Sequence, residues 1–98
     1  MGWKTFVGDA GVASTVPVVS DDSGLFYFFT PNNWEMLIKV LDGCASTAHY
    51  WVFFAATTDV EFVVTVTDTQ TGKVRTYFNP QGVSADAVTD TGAFATCP

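Results

Sequence analysis

The chain has 98 residues, the size of one small domain with a single hydrophobic core, and we expect one domain over residues 1–98. Apolar residues form 48% of the chain and charged residues only 14%, against roughly 25% charged in typical soluble domains. Ten acidic residues outnumber four basic ones, and the net charge of −6 argues against nucleic acid or an anionic membrane as a partner.

The amino-terminal third gives weak strand signals. Residues 3–7 are largely apolar but do not alternate cleanly between two faces. The segment Val16-Pro17-Val18-Val19 predicts a short strand, which Pro17 would place at a sheet edge or a bulge. Asp21-Asp22-Ser23-Gly24 is typical of a solvated turn, and it lacks the spaced acids of a calcium-binding loop. We therefore expect no metal and no other cofactor.

Two segments, Gly24 to Phe29 and Tyr50 to Phe54, are apolar on both faces. This pattern predicts central strands that are covered from both sides, or strands with one face awaiting a partner. The surrounding run His49 to Ala56 is too short to cross a bilayer, which takes about 20 apolar residues. We therefore expect no membrane insertion.

The segment from residue 34 to residue 42 fits two interpretations. As a helix it would begin at Asn33 as the cap and end at Gly43, with one apolar face. As a strand it alternates Trp34, Met36, Ile38 and Val40 against Glu35, Leu37, Lys39 and Leu41. We predict a strand, because the segments on both sides of it have β character.

A β-hairpin is predicted in the second half of the chain. Glu61 to Thr67 alternates, with Phe62, Val64 and Val66 on one face. The polar stretch 68–72 ends in Gly72, which suits a left-handed turn position, and a second alternating strand follows from residue 73 to residue 78. Asn79-Pro80-Gln81-Gly82 should end that strand.

Together these signals predict six or seven short strands. The expected fold is an all-β, immunoglobulin-like antiparallel sandwich or a partly open barrel. Cys44 and Cys97 are predicted to form a disulfide, which suits an oxidising compartment and a secreted protein; the alternative is two buried free thiols. An exported form would have lost its signal before Met1.

Catalytic chemistry finds little support in the residues. His49 is the only histidine, it adjoins strand aromatics, and no Gly-x-Ser-x-Gly elbow is present. A packed structural histidine is the expected role. We predict no catalytic residues and no enzyme activity.

The chain resembles a small module that recurs in secreted bacterial proteins, often as a carboxyl-terminal appendage beside extracellular proteases. The resemblance covers nearly the whole chain and includes both cysteines. It is carried by Ser23-Gly24-Leu25-Phe26-Tyr27-Phe28-Phe29, Asn33-Trp34-Glu35, Lys39-Val40-Leu41-Asp42-Gly43-Cys44, His49-Tyr50-Trp51-Val52-Phe53, Val64 to Gly72 and Asp90 to Cys97. It implies an extracellular location and adds no catalytic residue.

In resembling domains another strand normally precedes the position of Trp3, whereas here only Met1-Gly2 stand there. A missing first strand would leave an open slot that a segment of another chain fills. In the alternative, residues 3–7 close the sheet themselves. We expect a non-catalytic binding or accessory module that self-associates as a homo-oligomer or filament, or that accepts a strand. The candidate partner-binding residues are Trp3, Phe6, Phe26, Phe28, Trp51 and Phe53.

Two other functions fit the sequence less closely. An inhibitor or propiece of a secreted protease would insert acidic loops, such as Asp21-Asp22 or Ala85-Asp86-Ala87, into a cleft. A carbohydrate-binding module would stack sugars on flat rings from Trp34, Tyr50, Trp51 or Tyr77.

Overall fold

The computed structural model describes residues 1–17 and 20–98, which form an all-β protein. In chain order its elements are β1 Gly2–Lys4, β2 Ala10–Val12, β3 Ser14–Thr15, β4 Ser23–Tyr27, β5 Trp34–Gly43, α1 Cys44–Thr47, β6 His49–Ala56, β7 Glu61–Thr67, β8 Val74–Asn79 and β9 Val88–Phe94. The strands form a four-stranded sheet, β2-β1-β7-β8, and a five-stranded sheet, β3-β4-β5-β6-β9, both antiparallel. The predicted all-β sandwich is confirmed.

The strand count and the strand near Pro17 differ from the prediction. Residues 1–17 and 20–98 contain nine strands, and β2 and β9 had no predicted counterpart. The strand expected over residues 16–19 is instead β3, which ends at Thr15; Val18 and Val19 lie outside the described residues. The Val16 amide still donates to the Leu25 carbonyl at 2.8 Å. In the described residues β3 is an outermost strand of its sheet, which is the edge position that Pro17 predicted.

The segment of uncertain type is strand β5, as predicted, and the helical alternative is wrong. Both neighbours, β4 and β6, pair with it, and this pairing outweighs the local helix signals. A bulge in β5 sets Phe26 opposite Met36 and Tyr27 opposite Trp34, with Glu35 as the extra residue. Consequently Glu35 and Met36 are both buried although they are consecutive.

The predicted hairpin of β7 and β8 is confirmed, with Gly72 at φ +77° in its turn. On β7, Phe62 and Val64 are buried. On β8, the inward side chains are Tyr77 and Asn79, opposite Val64 and Phe62, whereas Phe78 points outward. The apolar Val74 and Phe78 of β8 therefore face solvent, whereas Tyr77 and Asn79 face the core.

The core lies between the sheets in two clusters of buried side chains. The larger cluster contains Phe28, Met36, Phe54, Phe62 and Val64, with Phe54 and Phe62 in edge-to-face contact at 6.3 Å. The smaller cluster contains Val52, Ala93 and Phe94. Val66 and Tyr77 pack against both clusters, so the two form one continuous apolar layer.

The predicted disulfide between Cys44 and Cys97 is present, with their Cα atoms 5.9 Å apart. It ties the segment after β9 to the short helix between β5 and β6, and it closes a loop of 53 residues. In the chain-entropy model a loop of that length stabilises the fold by about 4 kcal/mol. The bond indicates an oxidising, extracellular-type environment. No helix in the described parts of the chain has the length and apolar character of a membrane span.

The two sheets are also joined by polar contacts between β8 and β9. Asp90 accepts hydrogen bonds from Tyr77 Oη at 2.7 Å, from Arg75 at 3.0 Å and from the Gly92 amide at 3.0 Å. Burial raises the pKa of Asp90, but these hydrogen bonds outweigh burial and leave that pKa below its usual value. Burial, with the hydrogen bond to Asp90, raises the pKa of Tyr77 to about 12.

Candidate binding surface

The aromatic run of β6 is divided between the two faces of its sheet. Successive side chains of a strand point to opposite faces. Val52 and Phe54 are buried in the core, so Trp51 and Phe53 lie on the face turned away from it, where both are half-buried. The run therefore supplies a core face and an outer face at once.

The neighbouring strands extend this outer face. Cross-strand pairing sets Leu41 opposite Trp51 and Lys39 opposite Phe53, while Leu37 lies opposite Leu25 of β4. We call the apolar members of this face the outer strip: Leu25, Leu37, Leu41, Trp51 and Phe53. None of them belongs to either core cluster, and Leu37 is 40% exposed.

Contacts within the outer face hold its aromatic rings in place. The rings of Trp51 and Phe53 are stacked, with centroids 5.6 Å apart and planes 5° apart. The Trp51 indole donates to Thr47 Oγ1 at 2.7 Å and covers Gly43, where an added Cβ would overlap the indole ring. The outer strip thus contains a rigid aromatic pair, which binds with little loss of side-chain entropy.

Lys39 gives this apolar surface a single positive charge. Its Nζ lies 5.8 Å from the centroid of the Phe53 ring, within range of a cation–π interaction. A surface of this kind suits an apolar partner segment that carries a carboxylate close to Lys39.

The structure divides the six predicted partner-binding residues, and of these Trp51 and Phe53 lie together on the outer face. Phe6 lies in the turn between β1 and β2 and is 84% exposed. That turn belongs to the four-stranded sheet, whereas Trp51 and Phe53 lie on the five-stranded sheet. Phe28 is buried in the core at 5% exposure, and Trp3 and Phe26 pack against the same cluster. A binding role stays a prediction for each of the six.

Sequence reasoning missed Leu25, Leu37, Lys39 and Leu41 as members of the same surface. The alternation over residues 34–42 already set Leu37, Lys39 and Leu41 on one face. The missing information was the register between β5 and β6, which decides that this face adjoins Trp51 and Phe53. A single sequence without that register does not reveal the surface.

Open sheet edges are a second potential binding feature. In the described residues the outermost strands are β2 and β8 of one sheet and β3 and β9 of the other. Strand β1 has neighbours on both sides, because it pairs with β2 and with β7. An added strand would therefore join an outer strand, and β8 presents six residues for it.

The residues considered for chemistry are engaged in local contacts. His49 is half-buried, and its Nδ1 lies 2.6 Å from the Thr47 carbonyl oxygen, which accepts a hydrogen bond from it. Asp22 Oδ1 accepts from the hydroxyls of Ser20 and Ser23 within the same turn. Across residues 1–17 and 20–98, no three or more His, Cys, Asp or Glu side chains group as metal ligands.

The rings considered for sugar binding are dispersed. Trp34 is exposed at the start of β5, whereas Trp51 lies opposite Leu41 near the other end of that strand. Tyr77 points into the core layer and bonds to Asp90, and Tyr50 lines a small cleft beside Asp68. These four rings do not form one platform.

Comparison with protein-family models, with curated proteins and with solved structures finds no match for this chain.

Proposed function

We propose that this chain is a non-catalytic, extracellular binding or accessory module that self-associates or accepts a strand from a partner chain. The observation that carries the proposal is the outer strip, an ordered apolar surface on the far side of a sheet whose other side already supplies a complete core. Isolated soluble domains rarely expose contiguous apolar patches without a binding role. The disulfide supports an extracellular setting.

The size of the outer strip sets the expected strength of association. Burying one large apolar side chain completely is worth about 1.5–3 kcal/mol. The five side chains are already partly buried, so covering them contributes roughly half of that each. Association costs at least about 4 kcal/mol in lost motional freedom. The strip alone therefore supports weak association, which backbone pairing along an edge such as β8 would strengthen and orient.

The test is sedimentation velocity of the wild-type chain from micromolar to millimolar concentration. We expect the average mass to rise above the 10.6 kDa of one chain. The Leu37→Lys variant places a charge on the outer strip and should weaken that rise. Gln70→Lys makes the same charge change in the exposed β7–β8 turn and should behave like the wild type.

A chain that stays monomeric at every concentration and binds no hydrophobic dye would overturn the proposal. The protease-inhibitor alternative has its own measurement, since a large molar excess of the domain should then slow at least one secreted protease. Flat protease activity across a panel would exclude that alternative and leave the binding module unaffected.

A further inference from the structure

The outer face of the four-stranded sheet carries an apolar row that crosses all four strands. The register sets Val12 opposite Gly2, Gly2 opposite Val63, and Val63 opposite Phe78. Their sequence neighbours Trp3 and Phe62 point into the core, so this row faces outward. We call Val12, Gly2, Val63 and Phe78 the cross-strand row.

The shape of the row alternates between high and low points. Val12 and Phe78 stand at the two outer strands with 75% and 60% of their surfaces exposed. Between them Gly2 contributes no side chain, and Val63 is half-buried. A second surface can therefore pack against the low centre of the row, at Gly2 and Val63, and at the same time contact the exposed side chains at its two ends.

The neighbouring row on the same face carries one charge of each sign. Lys4 of β1 lies directly opposite Glu61 of β7, one residue pair beyond Trp3 and Phe62. The apolar row and this charged row are two residues apart on each strand, so they point to the same side. The face thus has a fixed positive position and a fixed negative position on adjacent strands.

We propose that this face pairs with the same face of a second copy around a two-fold axis that runs parallel to the strands, between β1 and β7. This inference rests on the self-association in the proposed function and adds a second contact surface, which is separate from the outer strip. The axis exchanges the positions of β1 and β7, and also those of β2 and β8. Each Val12 then meets Phe78 of the second copy, each Gly2 meets Val63, and each Lys4 meets Glu61.

The charges favour a second copy over an unrelated partner. Two-fold pairing needs a surface that is complementary to itself, with residue i meeting residue j and residue j meeting residue i. This arrangement meets that condition in shape, because the small Gly2 meets Val63, and in charge, because both contacts of the charged row join opposite signs. An axis running through β7 itself would instead bring the two Glu61 carboxylates together.

The face is small, so the dimer should be weak. Adjacent strands lie about 4.8 Å apart, which makes four strands roughly 14 Å wide between the outer axes. Such a contact falls at the low end of known interfaces, below about 1,200 Å² in total. We expect a dissociation constant of roughly 0.1–1 mM, which corresponds to about 4–5.5 kcal/mol of binding.

The test uses charge reversal with mixing. Lys4→Glu leaves two carboxylates on the charged row, and Glu61→Lys leaves two ammonium groups. Each variant alone should dimerise about tenfold more weakly than the wild type, because like charges meet across the axis. An equimolar mixture should recover dimers, since every contact between the two variants joins opposite charges.

The mixing experiment distinguishes an effect of the substitutions on the interface from an effect on the fold of each chain. Within each variant, residues 4 and 61 remain like-charged neighbours whether or not the other variant is present, so recovery comes only from contact between chains. Thermal unfolding of each variant checks that the monomer is folded. The measurement is sedimentation velocity at ~150 mM salt, where long-range charge effects are small.

Two outcomes would overturn the inference while treating the proposed function differently. If the wild type self-associates and the reversals leave it unchanged while Leu37→Lys abolishes it, the contact uses the outer strip and the proposed function stands. If the wild type stays monomeric up to ~1 mM, pairing with a second copy is excluded. Binding of the hydrophobic dye then decides the proposed function on its own.

Discussion

At the scale of single residues, two of the four described positions with positive φ differ in residue type. Gly72 has φ +77° in the β7–β8 turn, and Ala48 has φ +58° directly after the helical turn α1. Glycine adopts this region without strain, whereas a residue with a Cβ is disfavoured there by about 1–2 kcal/mol. One position therefore has the favoured residue type and the other does not.

Substitutions at these two positions should change the free energy of unfolding in opposite directions. Gly72→Ala should lower the free energy of unfolding by about 1 kcal/mol, because the added Cβ is strained at positive φ. Ala48→Gly should raise it by up to about 1 kcal/mol, because strain is relieved by more than the unfolded chain gains in entropy. Urea unfolding of both variants beside the wild type measures this. Changes of the same sign would contradict the assignment.

At the scale of elements, the contact between β8 and β9 makes stability depend on pH. Tyr77 is held protonated in the folded chain with a pKa of about 12, whereas a tyrosine in an unfolded chain has a pKa of about 10. Its contribution to stability is complete below pH 10 and is lost as the pH rises from 10 to about 12. The lowered pKa of Asp90 acts at the other end of the scale, where stability is lost as the pH falls below about 4.

Replacing Tyr77 by phenylalanine should remove the alkaline part of this dependence. The Tyr77→Phe variant loses the hydrogen bond to Asp90, so it should be less stable than the wild type at pH 8. Between pH 10 and 12 the wild type should lose more stability than the variant, so the two curves converge. Unfolding free energies measured by urea titration at several pH values provide the comparison. Parallel curves would show that Tyr77 keeps an ordinary pKa in the folded chain.

The elements that the sequence predicted are those with long, regular signals. Seven alternating residues and a turn ending in Gly72 were enough for the β7–β8 hairpin. Strand β5 was predicted in spite of helix-like caps at Asn33 and Gly43, because its neighbours were clearly strands. The missed strand β2 has three residues, and no alternation is recognisable over so short a length.

The surface was harder to predict than the elements. Phe28 and Trp51 are both aromatic residues of predicted strands, yet one is buried in the core and the other lies on the outer face. Whether a strand residue lies in the core or on the outer face depends on which face of its strand the other sheet covers. Short-range sequence patterns do not specify that contact. The inward placement of Asn79 on β8 also depends on contacts that short-range patterns do not specify. Its side-chain amide donates hydrogen bonds to the Val60 and Val83 carbonyls.

At the scale of the whole molecule, net charge opposes self-association. The described chain measures 44 × 27 × 22 Å and carries a net charge of −6. For two copies with centres 22 Å apart, the repulsion is about 3 kcal/mol at ~10 mM salt and about 0.4 kcal/mol at ~150 mM. The attraction of exposed ion pairs such as Lys4 with Glu61 is smaller, about 0.2–1 kcal/mol each.

Because the repulsion at low salt exceeds this attraction, we expect added salt to strengthen self-association of the wild-type chain. Raising the salt from ~10 to ~150 mM should lower the dissociation constant by about tenfold or more. Sedimentation velocity at fixed protein concentration measures the change. A rise in the dissociation constant would mean that local ion pairs dominate the contact. An uncharged osmolyte at equal osmolality serves as the control.

The position of β1 between β2 and β7 affects how the chain folds. Gly2–Lys4 is bonded to β2 locally, but its bonds to β7 span roughly sixty positions of sequence. Until this first hairpin docks, β7 has one bare side whose register fits the same hairpin of any other copy. We expect chains refolded at high concentration to exchange their amino-terminal hairpins and so form domain-swapped dimers. After dilution these dimers should dissociate only as fast as the hairpin detaches from β7.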